Sequence, residues 1–355
     1  MGLENIWQQT NRQLSTWAYN RFQIIDDRRV KKGLKMEKSD GMTRRSFLGL
    51  GAAALAGVSL APRLSAADVP EFDDNLLVFL ADIHAGVSKK CAYARDKFTE
   101  VIVDILKMRP KPRNVIVFGD VAYLYGLGAD YDFSRPLLRQ LEDAGITVTI
   151  GMGNHDRRSE YAKRWPDAAV TSLVPGRYVH LVETSYVGFL ILDSLQGADD
   201  RPLNEMGPVD GGLSLGQQEF VCDFLAKRTK PVILCAHHKA GELKVCGQPL
   251  KSLIAKTPCV AGYIHGHDHF WRRDWHRDAE QEPPHRAKRE LCLPSTGMWG
   301  HIGYAICRVS AKRAVVEPVV KDFWIPRPVP FDRRPPEWDD LLAEGGIENV
   351  CTYWL

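Results

Sequence analysis

Five apolar runs set the frame of the chain: Asn75–Ala81, Asn114–Phe118, Ile146–Ile150, Pro231–Ala236 and Cys259–Ile264. Runs of this length, rich in Val, Ile and Leu, read as strands buried on both faces. Helical spacing fills the gaps between them. Phe98, Val101, Ile102 and Ile105 lie on one face of a helix predicted over Ala92–Met108, which Pro110 and Pro112 stop. Leu137–Ala144 predicts a short helix with Gly145 just past its end. Ser214 with Gln217 three residues on forms a capping box for a helix over Leu215–Arg228, and Leu250–Lys256 is a further short helix. This alternation gives right-handed βαβ units. Tyr178–Val182 and Tyr186–Asp193, with Glu183-Thr184-Ser185 between, predict a hairpin that begins a second sheet. Beyond Trp271, Glu290–Leu293, Ile302–Val309 and Ala314–Val320 alternate as antiparallel strands.

Each of the five runs delivers chemistry at its exit. The first ends in Asp82-Ile83-His84, the second in Gly119-Asp120, and the third leads into Gly153-Asn154-His155-Asp156. The fourth ends in His237-His238 and the fifth in His265-Gly266-His267-Asp268-His269. In an open α/β sheet, ligands sit at the carboxyl ends of the strands. One such exit is a polar turn or a satisfied core histidine; five are poorly explained that way. The set combines imidazole, carboxylate and amide without thiolate. That donor chemistry suits Fe, Mn or Zn better than Ca, and it disfavours a closed structural zinc site.

Composition narrows the classes. At 355 residues the chain holds one large domain or two ordinary ones. A formal net charge of +3 with no dominant basic face gives no case for nucleic acid as a partner. The eight cysteines show no CxxC spacing, which argues against a zinc ribbon. Cys235 and Cys307 fall in predicted strands as inert core residues, and Cys246 with Cys259 is the candidate disulfide.

The N-terminal part does not begin like a domain. Residues 1–41 are polar and charged, an expected disordered or non-native extension. Residues 42–67 then combine Arg44-Arg45 with a short Gly/Ala-rich apolar segment, Leu48–Ala61, and a small-residue exit at Ser65-Ala66-Ala67. This is the plan of a secretory signal, and the paired arginines resemble the twin-arginine export signal. The segment is too short to span a bilayer comfortably, which takes about 20 apolar residues. An export signal stands at an N-terminus, so the expected start is Met36 or Met42. The implied partner is the export machinery, and the expected location is periplasmic or extracellular. Residues 68–325 form the expected catalytic domain. Residues 326–355 are an expected Pro/Arg-rich tail, surface-lying over Pro326–Pro336 and ending in a short Trp338–Leu342 element.

The ordered motifs D-x-H, G-D, G-N-H-D, H and G-H-x-H, spread from about Asn75 to Lys321, resemble the calcineurin-like metallophosphoesterases. The resemblance implies an α/β fold, a four-layer α/β/β/α sandwich with a two-metal site at the strand ends. It implies one metal held by Asp82, His84, Asp120 and His269, and a second by Asp120, Asn154, His237 and His267. It further implies a bridging hydroxide as in-line nucleophile, His155 assisting the leaving group, and Asp156 orienting that imidazole. His265 is expected to be structural, and His301 to pack in a turn. Gly119-Asp120-Val121-Ala122-Tyr123 also matches the G-D-x-x-Y pattern of purple acid phosphatases, but with His84 present Tyr123 is not an expected ligand. The compact G-N-H-D-Arg157-Arg158 layout is similar to the cyclic-nucleotide phosphodiesterase branch. Arg157 and Arg158 are read either as phosphate contacts or as a solvated pair, with the solvated pair favoured. The expected activity is phosphodiester hydrolysis of a small-molecule ester. A phosphomonoesterase is the near alternative, and a non-catalytic exported metal-binding protein the distant one.

Overall fold

In the computed structural model, the first apolar run becomes β1 (Phe72–Leu80). The structure describes residues 72–197, 202, 204, 205, 207–276, 288–324 and 350–355. All of these belong to one unit, Ser65–Leu355. The expected extension, signal segment, Pro-rich tail and Trp338–Leu342 element lie outside the described residues.

The elements follow in the expected order. After β1 come α1 (Ala92–Lys107), β2 (Lys111–Val117), α2 (Gly128–Asp143) and β3 (Thr147–Ile150). Two short helices, α3 (Arg158–Arg164) and α4 (Pro166–Val170), precede the hairpin β4 (His180–Glu183) and β5 (Gly188–Ile191). Next are α5 (Leu215–Lys227), β6 (Val232–Cys235), the small pair β7 (Lys244–Val245) and β8 (Gln248–Pro249), α6 (Leu250–Lys256) and β9 (Val260–His265). The chain finishes with β10 (Arg272–His276), β11 (Lys288–Cys292), β12 (Gly300–Val309), β13 (Arg313–Trp324) and β14 (Cys351–Trp354).

Two six-stranded sheets result, ordered β14-β13-β12-β1-β2-β3 and β10-β11-β9-β6-β5-β4. Strands β1, β2 and β3 are parallel, with Leu80 opposite Val117 and Val117 opposite Ile150. Strands β5, β6 and β9 are also parallel, with Ile191 opposite Cys235 and Cys235 opposite Ile264. Within each sheet, level registers bring the strand exits to one edge.

The side chains sort into three buried clusters, as strands covered on both faces require. Val78, Leu80, Val115 and Val117 meet Phe98, Ile102 and Leu138 of α1 and α2. Leu77, Phe79, Ile116 and Phe118 pack against Phe189, Ile191, Ile233 and Ile264 of the other sheet. Leu190, Leu234 and Tyr263 meet Val221, Leu250 and Ile254 of α5 and α6. Helix, sheet, sheet and helix are therefore stacked in the expected four layers. Among the described residues, no helix is long and apolar enough to cross a membrane.

Three differences from the sequence reading have physical causes. Helix α2 starts at Gly128 rather than Leu137, and runs through Pro136. Interior proline costs a helix about 3 kcal/mol; burial of Tyr131 and Ser134 on the face of Leu138 and Leu141 keeps the first half helical. The disulfide joins Cys222 to Cys246, not Cys246 to Cys259. Cys246 sits in the β7–β8 turn beside α5, while Cys259 has a free thiol with Sγ near the Leu225 carbonyl. The third is β14, which the pattern of residues 326–355 does not announce. It pairs with β13, buries Cys351 and Tyr353 between the sheets, and donates the Tyr353 hydroxyl to the Tyr263 carbonyl at 3.0 Å.

Candidate metal centre

The five strand exits converge. Asp82 and His84 follow β1, Asp120 follows β2, Asn154 and His155 follow β3, His237 follows β6, and His267 and His269 follow β9. Close sets of possible ligand atoms are formed by Asp82, His84 and His269, by Asp82, Asp120 and His237, by His84, Asp120 and His155, and by His237, His238 and His267.

The backbone is bent to achieve this. Seven described non-glycine residues have positive φ, and five are Asp82, His84, Asp120, His267 and His269. Such conformations cost of order 1–3 kcal/mol each and persist where the surroundings impose them. Gly153 permits a close approach, because a Cβ there would overlap Asp120 Oδ1. Asp120 Oδ1 accepts the His155 amide at 2.8 Å, leaving Oδ2 toward the imidazoles. Oδ2 lies 3.2 Å from His237 Nε2 and 3.8 Å from His84 Nε2.

The tautomers follow from the partners. His84 donates from Nδ1 to the Tyr123 carbonyl at 3.1 Å, and His237 from Nδ1 to the Phe118 carbonyl at 2.8 Å. In the neutral ring each Nε2 would then turn its lone pair toward Asp120, the carbonyl-backed arrangement of metal-binding imidazoles. His84 Nε2 lies 3.2 Å from His269 Nε2, and His237 Nε2 lies 3.2 Å from His267 Nδ1. Two lone pairs at that distance repel unless a proton or a cation lies with them. Two such pairs flank one carboxylate, and Asn154 Oδ1 lies 3.1 Å from His237 Nε2. The residues present therefore fit two cations that share Asp120.

Protonation in the metal-free protein reflects the same crowding. Burial opposes charge on His237, but the Asp120 carboxylate outweighs it and raises the imidazole to about 10. His269 is likewise raised, with Asp82 overcoming burial. Burial, then the charge of His155, lowers His84 to about 3. Burial also lowers His155. The two carboxyls stay below their ordinary value despite burial, because His269 acts on Asp82 and His237 on Asp120.

His155 stands at the open side: its side chain and that of His269 keep 13% and 11% exposure, while Asp82 and His84 keep none. Its orienting partner is the Leu124 carbonyl, 3.1 Å from Nδ1, which takes the role expected of Asp156. Asp156 braces the backbone of the site. Its Oδ1 accepts Val121 N, Ala122 N and the Tyr131 hydroxyl, and its Oδ2 accepts Gly153 N at 3.0 Å. The reason is direction: Asp156 is buried below the turn that presents His155, and burial with the Asp120 charge raises it to about 6.

The arginines are not a solvated pair; both are buried. Arg158 makes a bidentate pair with Asp193, Nε and Nη2 each 2.7 Å from a carboxylate oxygen, and also donates to the Leu195 and Gly197 carbonyls. Arg157 donates to the Tyr125 and Pro202 carbonyls. His265 stays outside the ligand sets, with Nδ1 2.7 Å from the Gly266 carbonyl and Nε2 3.5 Å from Glu290 Oε1. His267 turns the other way because β9 ends at His265 and His267 has φ of 70°. His301 accepts the Trp271 amide at Nδ1 and packs on Phe270 and Phe323. Sequence reasoning missed Ser194 and the placement of His238, although an Asp-Ser exit after the β5 run and the doubled histidine were visible signals.

Two stacked sheets flanked by helices, with a two-metal donor set at their edge, define a metallophosphoesterase scaffold. Residues 76–270 match the family model for the calcineurin-like phosphoesterases, and the chain belongs to that family. It is therefore a phosphoric ester hydrolase by family. A "probable cyclic nucleotide phosphodiesterase" of Psychrobacter arcticus is 24% identical over 258 residues, covering 66% of this chain and 84% of that one. Among solved structures, a dimetal phosphatase from Danio rerio superposes with a TM-score of 0.51 at 15% identity, covering 70% of this chain and 96% of that chain. At that identity the likeness concerns the fold.

Proposed function

We propose that this protein is a two-metal phosphodiesterase of small phosphate esters. The observation that carries the reading is the pair of facing imidazole contacts, His84–His269 and His237–His267, on either side of Asp120. Asp82, His84, Asp120 and His269 would hold one cation, and Asp120, Asn154, His237 and His267 the other. When bound, Fe, Mn or Zn would neutralise phosphoryl charge and lower the pKa of attacking water. The protein's part is placement and proton supply. Water adds to phosphorus and gives up a proton to solvent, the bond to one ester oxygen breaks, and that oxygen leaves with the electron pair. His155 Nε2 faces the cleft because Nδ1–H is tied to Leu124; when protonated, it hands its proton to the departing oxygen. Asp156 and Tyr131 keep the G-N-H-D turn in place for that transfer.

Preference for diesters over monoesters is supported by the Psychrobacter relative. The Cys222–Cys246 disulfide supports export to an oxidising compartment, together with the Arg44-Arg45 segment. Metal-loaded protein assayed on a bis-aryl phosphodiester and an aryl phosphomonoester, with His155→Ala beside it, tests the reading. Faster diester cleavage, lost with His155, is expected. Monoester preference moves the assignment to a phosphatase, and no turnover on either with both metals bound refutes it. Cytoplasmic retention of the full chain after Arg44→Lys and Arg45→Lys, against export of the native chain, tests the location.

A further inference from the structure

His238 is the residue the metal centre leaves unexplained. It is buried, its ring centroid is 4.9 Å from those of His237 and His267, and one of its nitrogens falls in a set with theirs. Position alone would make it an eighth ligand residue. Its hydrogen bonds exclude that. Ser194 Oγ accepts two backbone donors, His237 N at 3.2 Å and His238 N at 3.3 Å. A hydroxyl has two acceptor lone pairs and one hydrogen. With both lone pairs engaged, Ser194 must donate its hydrogen to His238 Nδ1, 2.8 Å away. Nδ1 is thus the acceptor and Nε2 carries the ring hydrogen. His238 Nε2 is a donor, unable to bind a cation.

That donor has no partner among the described residues. A buried donor without an acceptor is costly, about 1–3 kcal/mol, and native sites that keep one usually have a use for it. The surroundings hold the ring still. A Cβ on Gly211 would collide with His238 Cβ, so the loop closes directly over it, and the Tyr263 hydroxyl holds the His238 carbonyl at 2.7 Å. Gly207 N of the same loop donates to the Asn154 carbonyl, tying this cover to the ligand turn.

We propose that His238 Nε2–H donates to a non-bridging phosphoryl oxygen of the substrate at the His237–His267 side of the centre. Ser194 is the positioning residue that fixes the tautomer. The inference rests on the phosphoester reading above, and it makes Ser194-His238 a built oxyanion donor supplied by the exits of β5 and β6. The same donor in either charge state of the ring recognises any phosphate oxygen, so inorganic phosphate reports on it without turnover.

The test uses metal-loaded protein with His238→Met, similar in size without a donor, and His238→Gln, which restores an amide donor. Metals per chain, inorganic phosphate affinity by calorimetry, and kcat and KM on the better ester are measured. Expected for His238→Met are unchanged metal content, phosphate binding weaker by tenfold or more as for a lost charge-assisted bond, and kcat reduced about 10²–10³-fold. His238→Gln recovers part of both. Loss of about one metal per chain would make His238 a ligand and overturn the proposal. Phosphate affinity within twofold of native in both variants also overturns it. If native protein cleaves neither ester yet phosphate binding depends on the residue 238 donor, the phosphodiesterase reading fails while this one stands.

Discussion

Asp120→Asn is the sharpest perturbation of the centre. Asp120 Oδ1 accepts the His155 amide at 2.8 Å, and an asparagine oxygen does the same, so the turn that carries His155 is kept. What changes is Oδ2, between His237 Nε2 at 3.2 Å and His84 Nε2 at 3.8 Å. There an amide replaces a charged ligand atom that serves both imidazole pairs. Unit charges about 4 Å apart interact by about 4 kcal/mol at an effective dielectric of 20. A loss of that size is about 10³-fold in affinity for a cation that relies on it. Metal analysis of dialysed protein should then fall from about two ions per chain to one or fewer, with turnover reduced at least about 10³-fold. Far-ultraviolet dichroism should be unchanged. A variant that keeps both metals through dialysis and turns over within tenfold of native would refute the shared-carboxylate geometry.

Two further outcomes follow from charge and burial. His237, raised to about 10 by the Asp120 carboxylate despite burial, is protonated in metal-free protein at pH 7–8, and a cation must displace that proton. Metal binding should release at least about one proton, and affinity should rise with pH over that range; equal calorimetric heats in buffers of different ionisation enthalpy would contradict this. Arg158→Met strips the buried Asp193 carboxylate of its bidentate partner, and should lower unfolding stability by about 3–5 kcal/mol in urea. A loss below about 1 kcal/mol would mean that the pair is solvated, as exposed pairs are.

The sequence by itself determined the strand runs, their order, and the donor at each exit. Apolar runs of β length and chemistry at their ends are local properties, set by side-chain type and period. The clustering of Asp, His and Asn at the exits was legible for that reason; the choice of Asp82, His84, Asp120, Asn154, His237, His267 and His269 among them came from the ordered-motif resemblance, and the structure brings these residues close together. Only the tertiary structure decided which atom faces which. The positive φ of five ligands, the Leu124 carbonyl behind His155, and the Ser194 hydroxyl behind His238 join segments 31 to 44 residues apart or bend the chain against its local preference. No period in the sequence encodes such contacts. The same holds for Arg158, whose partner lies 35 residues on, for α2 running through Pro136, and for β14. In each, burial against a distant element outweighs what the local sequence prefers.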